Sequence, residues 1–289
     1  MEKPSALEEQ TPGLSADEQE EAEENQQPRA AVLHEIIRAQ GDHELERNWV
    51  ALFWSALAAG LTMGLSLMAM GLLSARLPDS PASHVLASFG YSAGFLGVIL
   101  ARQQLFTENT ITAVLPVMSS PSFLNFGRLA RLWGVVLVGN LAGTLLVGWV
   151  MLRLPIFDAN TDAAFLEIGR KVLENDAGTM FAKGIISGWM IATMVWMIAA
   201  LDQARIWMII MVTWLMALGE FTHIVVGSLE VGYLVWAGEA GWREFLLQFG
   251  GPTLAGNIVG GTFIFTLISH AQIRSDHASP RKEGPGRKA

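Results

Sequence analysis

Three stretches of this sequence carry no charge over lengths that can cross a bilayer: residues 48–75, 132–152 and 184–201. A helix needs about 20 mostly apolar residues to span roughly 30 Å of hydrocarbon. A soluble helix of that length would show a polar face at helical spacing instead. Composition agrees, with 51% hydrophobic and 16% charged residues against a usual charged share of about 25%. The expectation is an all-α membrane protein. Cysteine is absent, which excludes disulfides, thiol catalysis and Cys-ligated metal.

The formal net charge of -8 belongs to the tail rather than to the membrane body. Nine carboxylates fall in residues 2–24 with only Lys3 among them, so residues 1–29 are expected to be a disordered acidic tail. The first apolar run follows this tail and is too long for a signal-peptide core, so it reads as a retained helix. Residues 30–47 place Val32, Leu33, Ile36 and Ile37 on one side, with His34, Glu35 and Arg38 between them. That pattern predicts a short amphipathic helix on the membrane surface.

Residues 48–273 then form a six-helix membrane domain, and residues 274–289 a basic tail. Its spans fall at about 48–74, 82–118, 129–152, 180–201, 206–238 and 246–272, with a polar loop over 153–179. With the N-terminus inside, inner segments hold ten Lys and Arg and outer segments six. The bias places both termini in the cytoplasm.

The second and fifth spans are too long. At 1.5 Å per residue they would make helices of about 55 and 50 Å. Both carry charges near their middles: Arg102 and Glu108 in one, Glu220 and Glu230 in the other. Each is expected to be two short helices around an irregular turn, which is tolerated at membrane depth only beside protein or a water-filled cavity. The breaks look alike. Leu105-Phe106-Thr107-Glu108-Asn109 stands in the first and Glu220-Phe221-Thr222-His223-Ile224 in the second. Gly139-Asn140 and Gly256-Asn257 follow at similar distances, Phe106 and Phe221 serving as the matched landmarks. Three spans per half force opposite orientations, hence an inverted 3+3 repeat. Paired broken helices in such a repeat point to a solute site near the midplane.

Each candidate has a plainer alternative. The GxxxG pairs, Gly60/Gly64 and Gly184/Gly188 among them, are read as close helix packing. Asn140 and Asn257 either bond across helices or hold the backbone of the broken turns. A mid-membrane His is rare, so His223 is assigned proton transfer or solute binding, with a structural hydrogen bond as the alternative. Glu108 and Glu220 sit at the breaks, whereas His270 is expected at the interface.

In combination these features resemble the formate/nitrite transporter family over about residues 30–272. Leu105-Phe106-Thr107 matches the family's break in its second helix, and Phe221-Thr222-His223 its Phe-x-His motif in the fifth. The Gly-Asn pairs also match, as does Lys183 at the outer end of helix four. The likeness is nearest to a bacterial inner-membrane branch of unassigned substrate. It implies an aquaporin-like fold, a homopentamer with one pore per subunit, and passage of small monovalent anions or their conjugate acids. The departures surround the pore centre: Gln104, Thr222 and the Gly188-Trp189 pair replace the family's Glu, Glu and Asn-Trp.

The expected mechanism has half-helix N-termini attracting an anion through free amides, Thr107 donating a hydrogen bond, and His223 passing a proton. Leu105 and Phe106 form the constriction. Gln104 and Gly188 would alternatively widen the site for a small neutral solute. An intramembrane Ser–His protease built on Ser187 and His223 is the third reading. The sequence calls for no cofactor and no metal, and for no nucleic-acid partner; the basic tail is expected to meet anionic lipid.

Overall fold

The computed structural model describes residues 29–201 and 203–278. Residues 1–28 of the acidic tail and 279–289 of the basic tail lie outside the described residues. All regular structure within them is helical. In chain order the helices are α1 (Ala30–Glu46), α2 (Trp49–Ser74), α3 (Pro81–Leu100), α4 (Val114–Ser119) and α5 (Phe123–Arg153). Then come α6 (Ala159–Leu173), α7 (Ala177–Ala199), α8 (Arg205–Leu218), α9 (Ile224–Ala237) and α10 (Glu244–Gln272). Five of them, α2, α3, α5, α7 and α10, are long and apolar enough to cross a membrane, while α8 and α9 are shorter and apolar.

Most starts follow from the residue before the helix. Asn48, Ser122, Asp158 and Asp176 each accept a backbone N–H of the first turn through the side chain, which satisfies donors that would otherwise have no partner. Ser80 does the same ahead of α3, with Pro81 at the first helical position, where its missing N–H costs nothing.

The segment expected as a polar loop over 153–179 holds the helix α6. Thr161, Phe165 and Gly169 recur every fourth residue and form its buried face. The five acidic residues of this segment obscured that stripe. Phe165 stacks edge-on against Tyr233 of α9, with ring centroids 5.5 Å apart. On the opposite end of the bundle, α1 buries Leu33, Ile37, Gly41 and Leu45 and leaves Val32 and Ile36 exposed. Gly41 lies directly on the Thr112 backbone and Pro116, so α1 is packed onto the bundle. His270 meets His34 of α1, Nδ1 to Nε2, at 3.1 Å.

Two helix crossings organise the interior, and they match. A Cβ on Gly143 of α5 would sit 2.8 Å from the Cα of Gly60 on α2. One on Gly256 of α10 would sit 2.9 Å from the Cα of Gly184 on α7. In both crossings small residues let backbones touch, as in other lipid-embedded helix pairs. Trp54, Val138, Trp207 and Ile268 remain exposed on the outside of the bundle. Such a surface is unfavourable in water and costs nothing in lipid.

Candidate functional site

Residues 82–118 and 206–238 each divide at a break, and the two breaks share one backbone design. Helix α3 ends with Arg102 at φ 53° and α8 with Glu220 at φ 52°. Next, the Gln103 N–H reaches the Val98 carbonyl and the Phe221 N–H reaches the Met216 carbonyl, both at 3.0 Å. This is the Schellman way of closing a helix, in which the left-handed position usually falls to glycine. A side chain there costs about 1–2 kcal/mol.

These bonds set the correspondence between the halves. Arg102 pairs with Glu220, Gln104 with Thr222, Leu105 with His223 and Phe106 with Ile224. The match of Phe106-Thr107 to Phe221-Thr222 is therefore displaced by three residues. It reflects shared composition, whereas backbone geometry aligns His223 with Leu105.

Asn140 and Asn257, both with no exposed surface, hold the breaks. The Asn140 Oδ1 accepts the Phe106 N–H at 2.9 Å, and its Nδ2 donates to the carbonyls of Ala56 and Gln104 at 2.8 and 2.9 Å. The Asn257 Oδ1 accepts the Ile224 N–H at 2.9 Å, and its Nδ2 donates to the carbonyls of Gly184 and Thr222 at 2.9 and 3.1 Å and to Ser187 Oγ at 2.9 Å. Of the two readings for these asparagines, the geometry gives both at once: each crosses helices in order to hold a turn. The amides expected to be free for an anion are thereby engaged at Phe106 and Ile224. The Val226 N–H is engaged as well, 3.4 Å from Nδ1 of His223.

The breaks meet at one contact. The Thr107 hydroxyl is 2.7 Å from Nε2 of His223, and both residues are buried. With Nδ1 accepting the Val226 amide, the neutral ring carries its proton on Nε2, which donates to Thr107 Oγ1. The Thr107 hydroxyl hydrogen is then free to point elsewhere. Phe95 packs edge-on against the imidazole with centroids 5.2 Å apart. Leu105 and Phe106 are sealed at 0% and 1% exposure.

On one side of His223 opens a cavity of 780 Å³, lined by Glu220, Phe221, Thr222 and His223 together with residues of α3 and α6. Thr107, Leu105, Phe106 and Glu108 do not line it. Lys183 Nζ lies 3.7 Å from Glu220, and Lys171 Nζ lies closer, at 2.8 Å. Lys171 was missed because its segment looked like loop. So was Phe95, which as one more apolar residue in a span gives no signal. Glu108 is half-buried on the far side of the contact, and Gln104 Oε1 accepts from Asn109 at 3.0 Å.

Two expectations change here. Gly188 does not widen the site, because a side chain at that position would strike the backbone of Asn257. Ser187 Oγ is held by the carbonyls of Gly184 at 3.0 Å and Thr222 at 2.5 Å, besides the Asn257 amide. Among the described residues it makes no hydrogen bond to His223, so a Ser–His dyad is not assembled.

Residues 31–271 match the formate/nitrite transporter family model. The chain is 55% identical to the inner membrane protein YfdC of Escherichia coli over 270 residues, covering 93% of this chain and 87% of that protein. A solved pentameric formate channel with formate bound superposes with a TM-score of 0.67 at 21% identity, covering 78% of this chain and 98% of that one. An ion channel of the same family superposes with a TM-score of 0.62 at 20% identity, covering 87% and 97%.

Proposed function

This chain belongs to the formate/nitrite transporter family, and from that premise we propose that it conducts small monovalent anions or their conjugate acids through a pore centred on Thr107 and His223. The observation that carries the reading is the 2.7 Å contact between them, which joins the two broken helices at a buried point beside an open cavity.

In this reading residues 48–273 cross the membrane six times. Helix α3 with α4 supplies the second span, and α8 with α9 the fifth. The halves are inverted copies, supported by the matched Schellman turns and the matched asparagines. The Lys and Arg bias puts both termini in the cytoplasm, so the cavity faces outward. The protein sits in a bacterial inner membrane, in line with its similarity to the inner membrane protein YfdC, and assembles as a homopentamer, in line with its likeness to the pentameric formate channel, with lipid against the apolar faces left over.

An anion leaving water for this site would lose several kcal/mol of solvation unless paired or neutralised. With the Phe106, Ile224 and Val226 amides already engaged, protonation offers the cargo a route across. His223 relays a proton through Nε2, the Thr107 hydroxyl orients the cargo, and Leu105 and Phe106 hold the pathway dry. Phe221, Thr222, Lys183 and Glu220 shape the approach. Gln104 and Glu108 lie on the cytoplasmic side of the contact.

Proton-coupled flux of formate, nitrite and acetate into liposomes tests this. His223→Ala is expected to lower it about 100-fold, the scale of one general acid–base group. Unchanged pH-dependent flux in that variant would end the relay role.

A further inference from the structure

Arg102-Gln103-Gln104 stands where the other half has Glu220-Phe221-Thr222, and those three line the outer cavity. The match between the halves extends past the breaks. Gly41 of α1 lies on the Thr112 carbonyl and Gly169 of α6 on the Glu230 carbonyl. Thr112 and Glu230 each follow the matched pair Arg102 and Glu220 by ten residues. Helix α1 therefore holds at the inner mouth the place that α6 holds at the outer one. Ser55 of α2 anchors the inner turn, its Oγ accepting the Gln104 N–H at 3.1 Å.

The Gln104 side chain is 8% exposed, and its neighbours fix which end of the amide faces where. The Leu105 carbonyl can only accept, so Asn109 turns Nδ2 toward it, at 3.2 Å. The Thr112 hydroxyl donates to the Asn109 Oδ1 at 3.3 Å. The same Nδ2 donates to Gln104 Oε1 at 3.0 Å. Gln104 Nε2 thus points away from Asn109. Among the described residues nothing accepts its hydrogens, and it is not one of the atoms sealed from solvent. A nearly buried donor with no acceptor is an unmet requirement.

Arg102 adds a charge. It is exposed, and among the described residues its guanidinium makes no ion pair and no hydrogen bond. Its counterpart Glu220 is held by Lys171 and Lys183. On the inner side Glu44 is taken by Arg47 at 3.2 Å, and no ion pair joins Glu108 to Arg102 among the described residues. A guanidinium is always charged and only donates.

We propose that Gln104 Nε2 and Arg102 form an inner subsite that holds the cargo as its oxyanion just before the Leu105 constriction. This rests on the pore proposed above and adds the residue that selects the form of the cargo on the inner side. A carboxylic acid with a pKa of about 4 is almost wholly anion at neutral pH. Its oxygens accept from both side chains, and such charge-assisted bonds are the stronger kind. A glutamate at position 104 would keep the Asn109 bond and turn an acceptor toward the same space.

The test measures flux of formate and nitrite in proteoliposomes of one orientation, with cargo presented on the Gln104 side or on the cavity side. Gln104→Glu should raise the half-saturating concentration on the Gln104 side about tenfold and leave that on the cavity side in place. Its thermal unfolding should match wild type, because Asn109 keeps an acceptor. Arg102→Gln should shift the same side in the same direction, and Arg102→Lys should restore most of the loss. The subsite is overturned if Gln104→Glu saturates like wild type from its own side, or if both sides shift equally. Wild-type flux upholds the pore reading in either case. Folded wild type with no flux of either cargo would remove the pore reading and the subsite together.

Discussion

Thr107 and His223 come from opposite halves of the chain, 116 residues apart, and share a hydrogen bond of 2.7 Å at the point where both broken helices turn. Neither is exposed. The hydroxyl oxygen accepts the Nε2 hydrogen of the imidazole, which leaves the hydroxyl's own hydrogen free to point elsewhere.

Thr107→Val keeps the shape and removes the hydroxyl. It should leave His223 Nε2 without its partner, cost about 1–3 kcal/mol of stability and cut weak-acid flux at least tenfold. Thr107→Ser should restore both. Thermal unfolding in detergent and liposome flux read the two effects separately. Equal flux in the Val variant would show that the hydroxyl does not orient cargo.

Asn140→Ala and Asn257→Ala should each destabilise by about 2–4 kcal/mol, since every buried backbone group left unpaired costs roughly 1–3 kcal/mol before relaxation. Asn257→Ala should be the worse, because Ser187 loses a donor as well. Chemical unfolding of the purified protein measures the difference. A smaller loss for Asn257 would contradict the bond inventory.

Gly188→Asn restores the residue type the family resemblance leads one to expect at that position. In this chain it should destabilise by about 1–3 kcal/mol through overpacking on the Asn257 backbone. Gly127→Ala, which meets nothing within 4 Å, should be neutral or slightly stabilising. If Gly188→Asn were instead neutral and narrowed the range of permeant solutes, position 188 would face the pore after all.

Acid should loosen the ends of α6 and α7. The amides of Thr161 and Thr179, hydrogen-bonded to Asp158 and Asp176, hold these carboxylates below their ordinary value of 3.8. A folded-state value below the unfolded one gives stability that is complete above the unfolded value and is lost as pH falls through the folded one. The decline therefore begins below about pH 4. Asp158→Asn keeps an acceptor and should flatten that part of the pH profile. Hydrogen exchange at the Thr161 amide would show it.

Much of this was legible in the sequence, and the failures have physical causes. Uncharged length marked the spans because hydrocarbon tolerates little else. Mid-span charges marked the breaks, and Asn140 and Asn257 were picked out with half their role understood. The alignment of the breaks was not legible. Left-handed turns at Arg102 and Glu220 are made by backbone bonds, and neither position carries the glycine that would have marked it, so the chemistry at matched positions drifted while Phe-Thr recurred three residues away. Helix α6 hid behind its acidic residues, and only the fold reveals that Glu230 is buried.

The asparagine staples also decide how such a pore can open. Each amide bonds a turn to helices on either side of it, so a break cannot swing without dragging α2 and α5, or α7 and α10, across glycine contacts that leave no slack. In the pore proposed above, opening then falls to side-chain rotamers at Leu105, Phe106 and His223. Rotamer changes at three side chains would then take the place of a rigid-body rearrangement of helices, which makes the fixed backbone a frame and the proposed gate a matter of three side chains.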